Sequence, residues 1–204
     1  MRIIAGKFRG RVLAKSDHLK GLRPTTDKSR ETLFNILRSG KFANDISFEI
    51  EGANVLDVCC GSGAVGFEAL SRGAKSVTFI DNNPIHLDLV KQNSESLEVQ
   101  NSIKIIRANV LNMQKNEEFF DFIFIDPPYA QDIQLFILVL LEKNWIQKKS
   151  SLIVAEFETK SGLDETLLKD FKILEIREYG KTSFAFLIIR AEIAPLTPAA
   201  DFRT

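Results

Sequence analysis

Residues 55–66 read VLDVCCGSGAVG, a short apolar run that leads through a glycine-rich turn into residues typical of a helix. The apolar run fits a buried strand, and Gly61, Gly63 and Gly66 form the pattern G-x-G-x-x-G. Asp81 follows Gly61 by 20 residues, at the end of the next apolar run. A strand, a tight glycine turn and a helix in this order indicate a βαβ unit whose turn lies against a ligand.

The rest of the chain continues this alternation of strands and helices. Strands are predicted at 55–58, 76–80, 103–107, 121–125, 151–157, 171–177 and 183–190, and helices at 64–72, 84–97, 133–143 and 163–169. Because residues 121–125, DFIFI, are almost entirely apolar, we expect this strand at the centre of the sheet with both faces covered. We predict an α/β fold, a Rossmann-like doubly wound sheet of seven strands, mostly parallel with an antiparallel C-terminal strand.

Short apolar pieces at 2–5 and 11–14 flank the sequence GKFRG, which predicts a small N-terminal β-hairpin. The helical spacing of apolar residues over 33–37, after the candidate N-cap residues Thr26 and Asp27, predicts a helix before the first strand of the sheet. The chain therefore carries a hairpin and helix extension in front of its α/β body.

Charge divides the chain in the same way. Residues 1–41 contain eleven Lys and Arg against three Asp and Glu, a net charge of +8, and the remainder carries −8. A basic extension on an acidic body indicates a polyanionic partner such as nucleic acid, although a solvated charged surface gives the same count. We predict a basic nucleic-acid-binding extension over 1–41, a catalytic domain over 42–190 and a tail over 191–204.

Composition excludes several classes of protein. The chain has 204 residues, of which 45% are apolar and 26% charged, as in an ordinary globular domain. No run of eighteen apolar residues and no secretory signal is present, so we expect a cytoplasmic protein without a membrane contact. Cys59 and Cys60 are adjacent, which rarely allows a disulfide, and two cysteines alone cannot form a zinc site, so no metal is expected.

The glycine turn fits two kinds of ligand. The G-x-G-x-x-G pattern with Asp81 fits a nicotinamide dinucleotide, but the carboxylate of Asp57 would repel a pyrophosphate. S-adenosylmethionine carries a cationic sulfonium and an ammonium group and no phosphate. Asp57 suits such a ligand, and Asp81 can accept hydrogen bonds from its ribose hydroxyls. The alternative for Asp57 is a strand-end cap, and glycine turns also occur for packing alone.

The sequence Asp126-Pro127-Pro128-Tyr129 follows the most apolar strand. Its prolines fix the backbone and remove two N–H donors, so the carbonyl of Pro127 can point into a site. Asp126 and this carbonyl can accept the two N–H bonds of an exocyclic amine on a planar base, while Tyr129 stacks on the ring. We predict in-line methyl transfer, without a metal or a covalent enzyme intermediate. An ordinary turn and simple packing of Tyr129 are the alternatives.

These motifs together resemble a known family. Residues 57–63, DVCCGSG, resemble the first motif of Rossmann-like methyltransferases, and residues 126–129 resemble the Asp/Asn-Pro-Pro-Tyr/Phe signature of enzymes that methylate exocyclic amines. Over about residues 2–190 the chain resembles the bacterial 16S rRNA (guanine(966)-N2)-methyltransferases, through RIIAG at 2–6, RPTTD at 23–27, RETLFN at 30–35, GFEALSRGA at 66–74 and YGKT at 179–182. The resemblance implies S-adenosylmethionine as cofactor, guanine N2 as target, and 16S rRNA or an assembling 30S particle as partner.

The expected site residues fall into three groups. Cofactor contacts are expected from Asp57, Cys59, Gly61, Ser62, Gly63, Asp81, Asn82, Asn109 and Val110, catalysis from Asp126, Pro127 and Tyr129, and RNA contacts from Arg2, Arg9, Arg11, Arg23 and Arg30. The chain departs from the family at Cys59-Cys60, where an aromatic-Ala pair is usual, and at Asn109, where an acid is usual. The amide oxygen of Asn109 can still accept a bond from the adenine amine, or Asn109 is a plain loop residue.

Other interpretations stay open at this stage. Phe8 can stack on a splayed base or pack within the hairpin. His86, outside every motif, is expected to be a surface or capping residue. The rival functions are an adenine-N6 methyltransferase acting on DNA or RNA, an NAD-dependent oxidoreductase, and an RNA-binding protein with an inactive cofactor site. The basic extension, and the lack of room for a DNA-recognition domain, weigh against a DNA enzyme.

Overall fold

The computed structural model describes residues 1–14, 27–42, 44–147 and 150–190. Its centre is a sheet of seven strands in the order β3-β2-β1-β4-β5-β7-β6. The strands are β1 Asn54–Val58, β2 Ser76–Asp81, β3 Ile103–Arg107, β4 Phe122–Ile125, β5 Leu152–Glu158, β6 Phe171–Tyr179 and β7 Thr182–Ile189. Strands β1 to β5 pair in parallel, and β7 is antiparallel to both β5 and β6. The predicted fold class is confirmed.

Four α-helices surround the sheet within the described residues: α1 Asp27–Arg38, α2 Ala64–Ser71, α3 Pro84–Leu97 and α4 Ile133–Glu142. Local signals explain α3, because Pro84 occupies its first turn and the side chain of Asn83 accepts a hydrogen bond from the Ile85 N–H. No helix long and apolar enough to span a bilayer occurs in the described part of the chain.

The helix predicted over 163–169 is wrong. Residues 165–170 form successive turns instead. The carboxylate of Asp164 accepts hydrogen bonds from both the N–H and the hydroxyl of Thr166, at 2.9 and 2.6 Å. The backbone N–H of Leu167 then reaches only to the carbonyl of Asp164, three residues back. A short acidic side chain that bonds the local backbone competes with helix formation in this way.

Two apolar clusters cover the two faces of the sheet. On one face, Phe122 and Phe124 of β4 join a cluster that includes Ile3 of the extension and Phe34 of α1. On the other face, Ile123 and Ile125 pack in the cluster that contains all four buried residues of α4. All four β4 side chains are buried, and burying one such Phe or Ile contributes about 1.5–3 kcal/mol. The central, doubly covered position predicted for β4 is confirmed.

The N-terminal extension forms the predicted hairpin in a minimal form. Arg2 and Val12 make one isolated antiparallel bridge. Around it, the N–H of Ile3 donates to the carbonyl of Arg11 at 3.0 Å, and the N–H of Gly10 donates back to the carbonyl of Ile3 at 2.9 Å. The hairpin is therefore held by a few backbone bonds and depends on packing against the body for its position.

Candidate active site

The loops that follow β1, β2, β3 and β4 are joined at the carboxyl edge of the sheet. The N–H of Cys60 donates to the carbonyl of Ile80 at 3.1 Å, and the N–H of Asp126 donates to the carbonyl of Val58 at 3.2 Å. The N–H of Ala108 likewise donates to the carbonyl of Asp81 at 3.0 Å. Each bond connects the loop after one strand to the end of a neighbouring strand. The glycine turn, Asp81 and the Asp126 corner therefore share one edge, where open α/β sheets bind ligands.

Two buried carboxylates hold the glycine turn. Asp57 is 2% exposed and its Oδ2 accepts a hydrogen bond from the N–H of Gly66 at 2.9 Å. Asp81 is 6% exposed, and its Oδ2 accepts from the N–H of Gly61 at 3.0 Å while its Oδ1 accepts from Asn83 N–H at 2.9 Å. Asp57 thus bonds the first turn of α2 with its carboxyl group at the predicted edge, and its contact with a cofactor stays a prediction.

The glycines of the turn are required by geometry. Gly61 and Gly63 have φ angles of +54° and +77°, in the left-handed region that favours glycine. A Cβ on Gly66 would lie 2.4 Å from Cε1 of Phe79, so this glycine allows α2 to pack closely on β2. The first two glycines shape the turn and the third brings the helix against the sheet, as in ligand-binding βα turns.

Acidic groups are concentrated around the turn. Burial raises the pKa of Asp57 to about 8, with the Asp81 charge adding to the effect and the bond from Gly66 opposing it. Burial alone would raise the pKa of Asp81, but bonds from His86, Asn83 and Gly61 hold it below its usual range. Burial also raises the pKa of the Cys59 thiol, helped by the charges of Asp81, Asp126 and Asp57. This electrostatic environment favours a cationic ligand.

His86 is a site residue that the sequence interpretation missed, and its expected surface or capping role is corrected. Its Nδ1 lies 3.1 Å from Oδ2 of Asp81, and its side chain is mostly buried. His86 lies in the first turn of α3, five residues after Asp81, and the first turn of a helix after a βα loop faces the strand end. This spacing from Asp81 is the sequence feature that could have indicated the contact, and it belongs to no motif.

The Asp126 corner is held by the C-terminal hairpin. Asp126 is half-buried, Pro127 is buried and Pro128 is exposed. The hydroxyl of Tyr129 lies 2.5 Å from Oγ1 of Thr182, the first residue of β7. Thr182 is a second residue that sequence reasoning did not assign to the site, although it ends the quoted YGKT segment. It fixes the orientation of the Tyr129 ring.

The remaining predicted cofactor residues occupy different environments. Ser62 and Val110 are buried, Cys59 is half-buried with a φ of +57°, and Asn82 is exposed. The amide oxygen of Asn109 accepts a bond from the N–H of Leu111 at 3.1 Å and caps a short 3-10 helix. Asn109 therefore has a local capping role, and its amide oxygen keeps a second lone pair for another donor.

The N-terminal extension docks on α2, the helix that starts at the glycine turn. Glu68, fully buried, accepts hydrogen bonds from the N–H groups of Ile4 at 2.8 Å and Ala5 at 3.1 Å. The hydroxyl of Ser71 accepts from the N–H of Phe8 at 2.9 Å and donates to the carbonyl of Ala5 at 2.5 Å. The extension is thus attached to the same helix that follows the glycine turn.

A second attachment reaches the turn itself. Asn93 of α3 is buried, and its Oδ1 accepts from the N–H of Ala14 at 2.7 Å. Its Nδ2 donates to the carbonyl of Ser62 at 3.1 Å. Asn93 therefore links the second half of the hairpin to the glycine turn, with both contacts made by one side chain.

The predicted RNA-binding arginines differ in accessibility. Arg2, Arg9 and Arg11 are exposed, and Arg11 donates a hydrogen bond to the carbonyl of Ser96. Arg23 lies outside the described residues. Arg30 does not fit the predicted RNA contact, because its side chain is 0% exposed and its Nη2 donates to the Arg2 carbonyl and to Asp27, each at 2.7 Å. Arg30 instead joins α1 to the hairpin.

Phe8 follows the packing alternative. It is half-buried against the cluster that contains Ile3 and Phe34, and the Nζ of Lys7 lies 5.2 Å from the centre of its ring. In the described part of the chain, no group of three or more His, Cys, Asp or Glu side chains is arranged to hold a metal ion.

Comparison with known proteins agrees with this fold. The structure matches the solved structure of a putative methyltransferase, yhhF, from Escherichia coli with a TM-score of 0.75 and 30% identity, covering 94% of this chain and 99% of that one. It also matches a putative methylase from Haemophilus influenzae with a TM-score of 0.71 and 31% identity, covering 92% and 97%. The fold is that of the Rossmann-like methyltransferases.

The family follows from the sequence matches. The family model described as "Conserved hypothetical protein 95" matches residues 1–188. A protein of Haemophilus influenzae named ribosomal RNA small subunit methyltransferase D is 37% identical over 83% of this chain and 87% of its own length. The chain belongs to this family, as the motif resemblance predicted.

Proposed function

We propose that this protein is an S-adenosylmethionine-dependent methyltransferase that modifies the exocyclic N2 of a guanine in small-subunit ribosomal RNA. One observation supports the proposal: the N–H of Asp126 donates to the carbonyl of Val58, so Asp126 and the glycine turn lie beside each other at one edge of the sheet. The relative named ribosomal RNA small subunit methyltransferase D supports RNA of the small subunit as the substrate.

The residues at the turn fit the cofactor. The positive φ angles of Gly61 and Gly63 leave the backbone open to close approach, and the carboxylates of Asp57 and Asp81 suit a ligand that carries cationic and hydroxyl groups. Oδ1 of Asp81 accepts one bond from Asn83 and keeps a lone pair for a ribose hydroxyl. When bound, S-adenosylmethionine supplies an electrophilic methyl group on a cationic sulfur.

The chain's own residues then position the target amine. Asp126 and the carbonyl of Pro127 accept the two N–H bonds of the amine, which directs its lone pair away from the ring system. Tyr129 stacks on the base, with its ring fixed by the contact to Thr182. Catalysis arises mainly from this orientation, because a near-attack geometry removes much of the entropic cost of the reaction. A guanine in a structured RNA must leave its stack to enter such a corner.

The proposal is tested by methylation of 30S particles and of naked 16S rRNA with labelled S-adenosylmethionine, followed by nucleoside analysis. N2-methylguanosine is the expected product. N6-methyladenosine as the sole product would support the adenine rival, since the corner accepts any exocyclic amine. Calorimetry with S-adenosylmethionine and NAD separates the methyltransferase from the oxidoreductase, and binding of NAD alone would refute the proposal. RNA binding without any methyl transfer would favour the inactive RNA-binding protein.

The raised pKa of Asp57 predicts a pH-dependent cofactor affinity. With a pKa of about 8, the carboxyl is mostly protonated at pH 6 without ligand. A cationic ligand stabilises the ionised form and lowers this pKa, so binding releases a proton and affinity rises with pH from 6 towards 8, by up to about tenfold per pH unit. Calorimetry in two buffers of different ionisation enthalpy measures the proton released.

Two comparisons control this prediction. S-adenosylhomocysteine lacks the sulfonium charge and is expected to show a flatter pH profile. Asp57→Asn keeps an acceptor for the Gly66 N–H but cannot ionise, so its affinity for S-adenosylmethionine should be lower at pH 8 and independent of pH. A wild-type affinity that does not change between pH 6 and 8 would contradict the assignment of Asp57.

A further inference from the structure

A groove of about 590 Å³ runs between α1 and β6. One wall is formed by Thr32 and Asn35 of α1 and by Ser39 just after it, and the other by Arg177 and Tyr179 of β6. Lys41 also lines the groove. The walls thus combine hydroxyl and amide groups, two cations and one aromatic ring. None of these residues belongs to the cofactor turn or the Asp126 corner.

A β-bulge creates the charged wall. The pairing of β6 with β7 changes from Ile173 opposite Leu187 to Glu175 opposite Phe186, so Leu174 is an extra residue. Ile173 packs in the cluster on the α4 face, as regular alternation from Phe171 requires. Beyond the bulge, the odd-numbered residues turn to the α1 face, and a bulge is a common device for redirecting side chains near functional sites.

The charges in the groove leave a cationic excess. Glu175 forms ion pairs with both Lys41 and Arg177, so two cations share one carboxylate. The net charge of these three side chains is +1. The Lys41 and Arg177 side chains remain 41% and 42% exposed. Arg177 uses its Nε for Glu175 at 2.5 Å, and a guanidinium has four further N–H donors. These donors and the ammonium of Lys41 suit phosphate oxygens.

Tyr179 connects the groove to the Asp126 corner through Thr182. Tyr179 lies opposite Thr182 across the turn that joins β6 and β7. Oγ1 of Thr182 is 2.5 Å from the hydroxyl of Tyr129. Tyr179 is half-buried against Phe184, with ring centres 5.8 Å apart, so its ring is held in place for stacking. A bound base at Tyr179 would therefore be a near neighbour of the base at Tyr129.

We propose that the groove between α1 and β6 binds a short single-stranded RNA segment adjoining the target base. Tyr179 stacks on one base, Lys41 and Arg177 contact phosphates, and Asn35 bonds a base edge or sugar. Stacking platforms combined with cations are the usual means of binding single-stranded nucleic acid. This inference rests on the proposed function, because it takes RNA as the substrate of the Tyr129 corner.

The test measures RNA affinity of Tyr179→Ala and Arg177→Gln with naked 16S rRNA and with 30S particles, beside cofactor affinity and melting temperature. Tyr179→Ala is expected to weaken RNA binding by about tenfold, and Tyr179→Phe, which keeps the ring, to change it little. Arg177→Gln is expected to reduce the slope of log affinity against log salt by about 1. Cofactor affinity should stay within about twofold for all three variants, since no cofactor residue is altered.

Lys104→Gln is the matched control. Lys104 is also an exposed cation in an ion pair, with Glu118, but it lies on β3 at the opposite edge of the sheet. RNA affinities of the two groove variants equal to that of Lys104→Gln would overturn the inference. In another outcome, the wild type binds both naked 16S rRNA and 30S particles while the two groove variants lose affinity for the particles alone. That result would assign the groove to a ribosomal protein, and it would also overturn the inference. A wild type that binds no RNA would refute the proposed function itself.

Discussion

Replacing Asp126 by alanine is expected to lower the rate of methyl transfer by about 100- to 1000-fold, the usual effect of losing one polar contact to the reacting group. The carboxylate is one of the two acceptors proposed for the amine, beside the carbonyl of Pro127, so its loss leaves one amine N–H without a partner. The backbone N–H of Asp126 still donates to the carbonyl of Val58, which keeps the corner in place. Single-turnover transfer of a labelled methyl group at saturating cofactor and RNA measures the rate.

Asp126→Asn is the matched variant, because it keeps an acceptor oxygen of the same geometry without the charge. We expect it to lose less activity than Asp126→Ala, and the difference between them separates hydrogen bonding from charge stabilisation. Both variants should bind RNA and cofactor within about threefold of the wild type. Unaltered turnover of Asp126→Ala would remove this residue from the mechanism, whereas a parallel loss of RNA affinity would make it a binding residue.

Replacing Gly6 by alanine is expected to detach the N-terminal extension from the body and to weaken RNA binding by about tenfold or more. A Cβ on Gly6 would lie 1.8 Å from the backbone oxygen of Ser71, an atom that cannot move aside without displacing α2. The bond from the Lys7 N–H to this oxygen, at 2.7 Å, would break as well. Each phosphate contact that the exposed arginines lose would also reduce the slope of log RNA affinity against log salt concentration by about 1. Salt titrations of RNA affinity measure this effect.

Gly10→Ala provides the control for Gly6→Ala within the same hairpin. The φ angles are +84° at Gly10 and +81° at Gly6, so alanine meets the same left-handed backbone at both positions, but nothing lies within 4 Å of a Cβ on Gly10. Its cost is therefore limited to about 1–2 kcal/mol of backbone strain without a collision. Hydrogen exchange at the N–H groups of Ile4 and Ala5 reports docking directly. Equal exchange and equal RNA affinity in the two variants would contradict the role of the Gly6 contact.

The docked hairpin and the glycine turn are attached to the same two helices. Glu68 on α2 holds the first half of the hairpin, and Asn93 on α3 holds the second half together with the carbonyl of Ser62. An RNA bound to the exposed arginines of the hairpin would therefore be held at a constant position relative to the glycine turn. Such rigid support is what a reaction governed by orientation requires.

Local patterns in the sequence were sufficient for most of the framework. The predicted boundaries of α3, 84–97, and of β3, 103–107, coincide with those observed, because proline, an Asn cap and apolar spacing act over a few neighbouring residues. The glycine turn and the Asp126 corner were also predicted at strand ends. Parallel strands bring such ends together at one edge, so topology alone implied their proximity.

Tertiary contacts decided the rest. The burial of Arg30, the docking of the hairpin on Glu68 and the contact between His86 and Asp81 depend on which surfaces pack together. Glu68 and Ile4 are separated by 64 positions in the chain, and no local periodicity reports a partner at that distance. The extra residue at Leu174 likewise reverses which side chains of β6 face α1, since a shift of one residue exchanges the two faces of a strand. The sequence by itself determined the order of the helices and strands and the residue types at their ends. Only the packing of distant segments determined which charged side chains are buried and hold elements together, and which stay exposed on the surface.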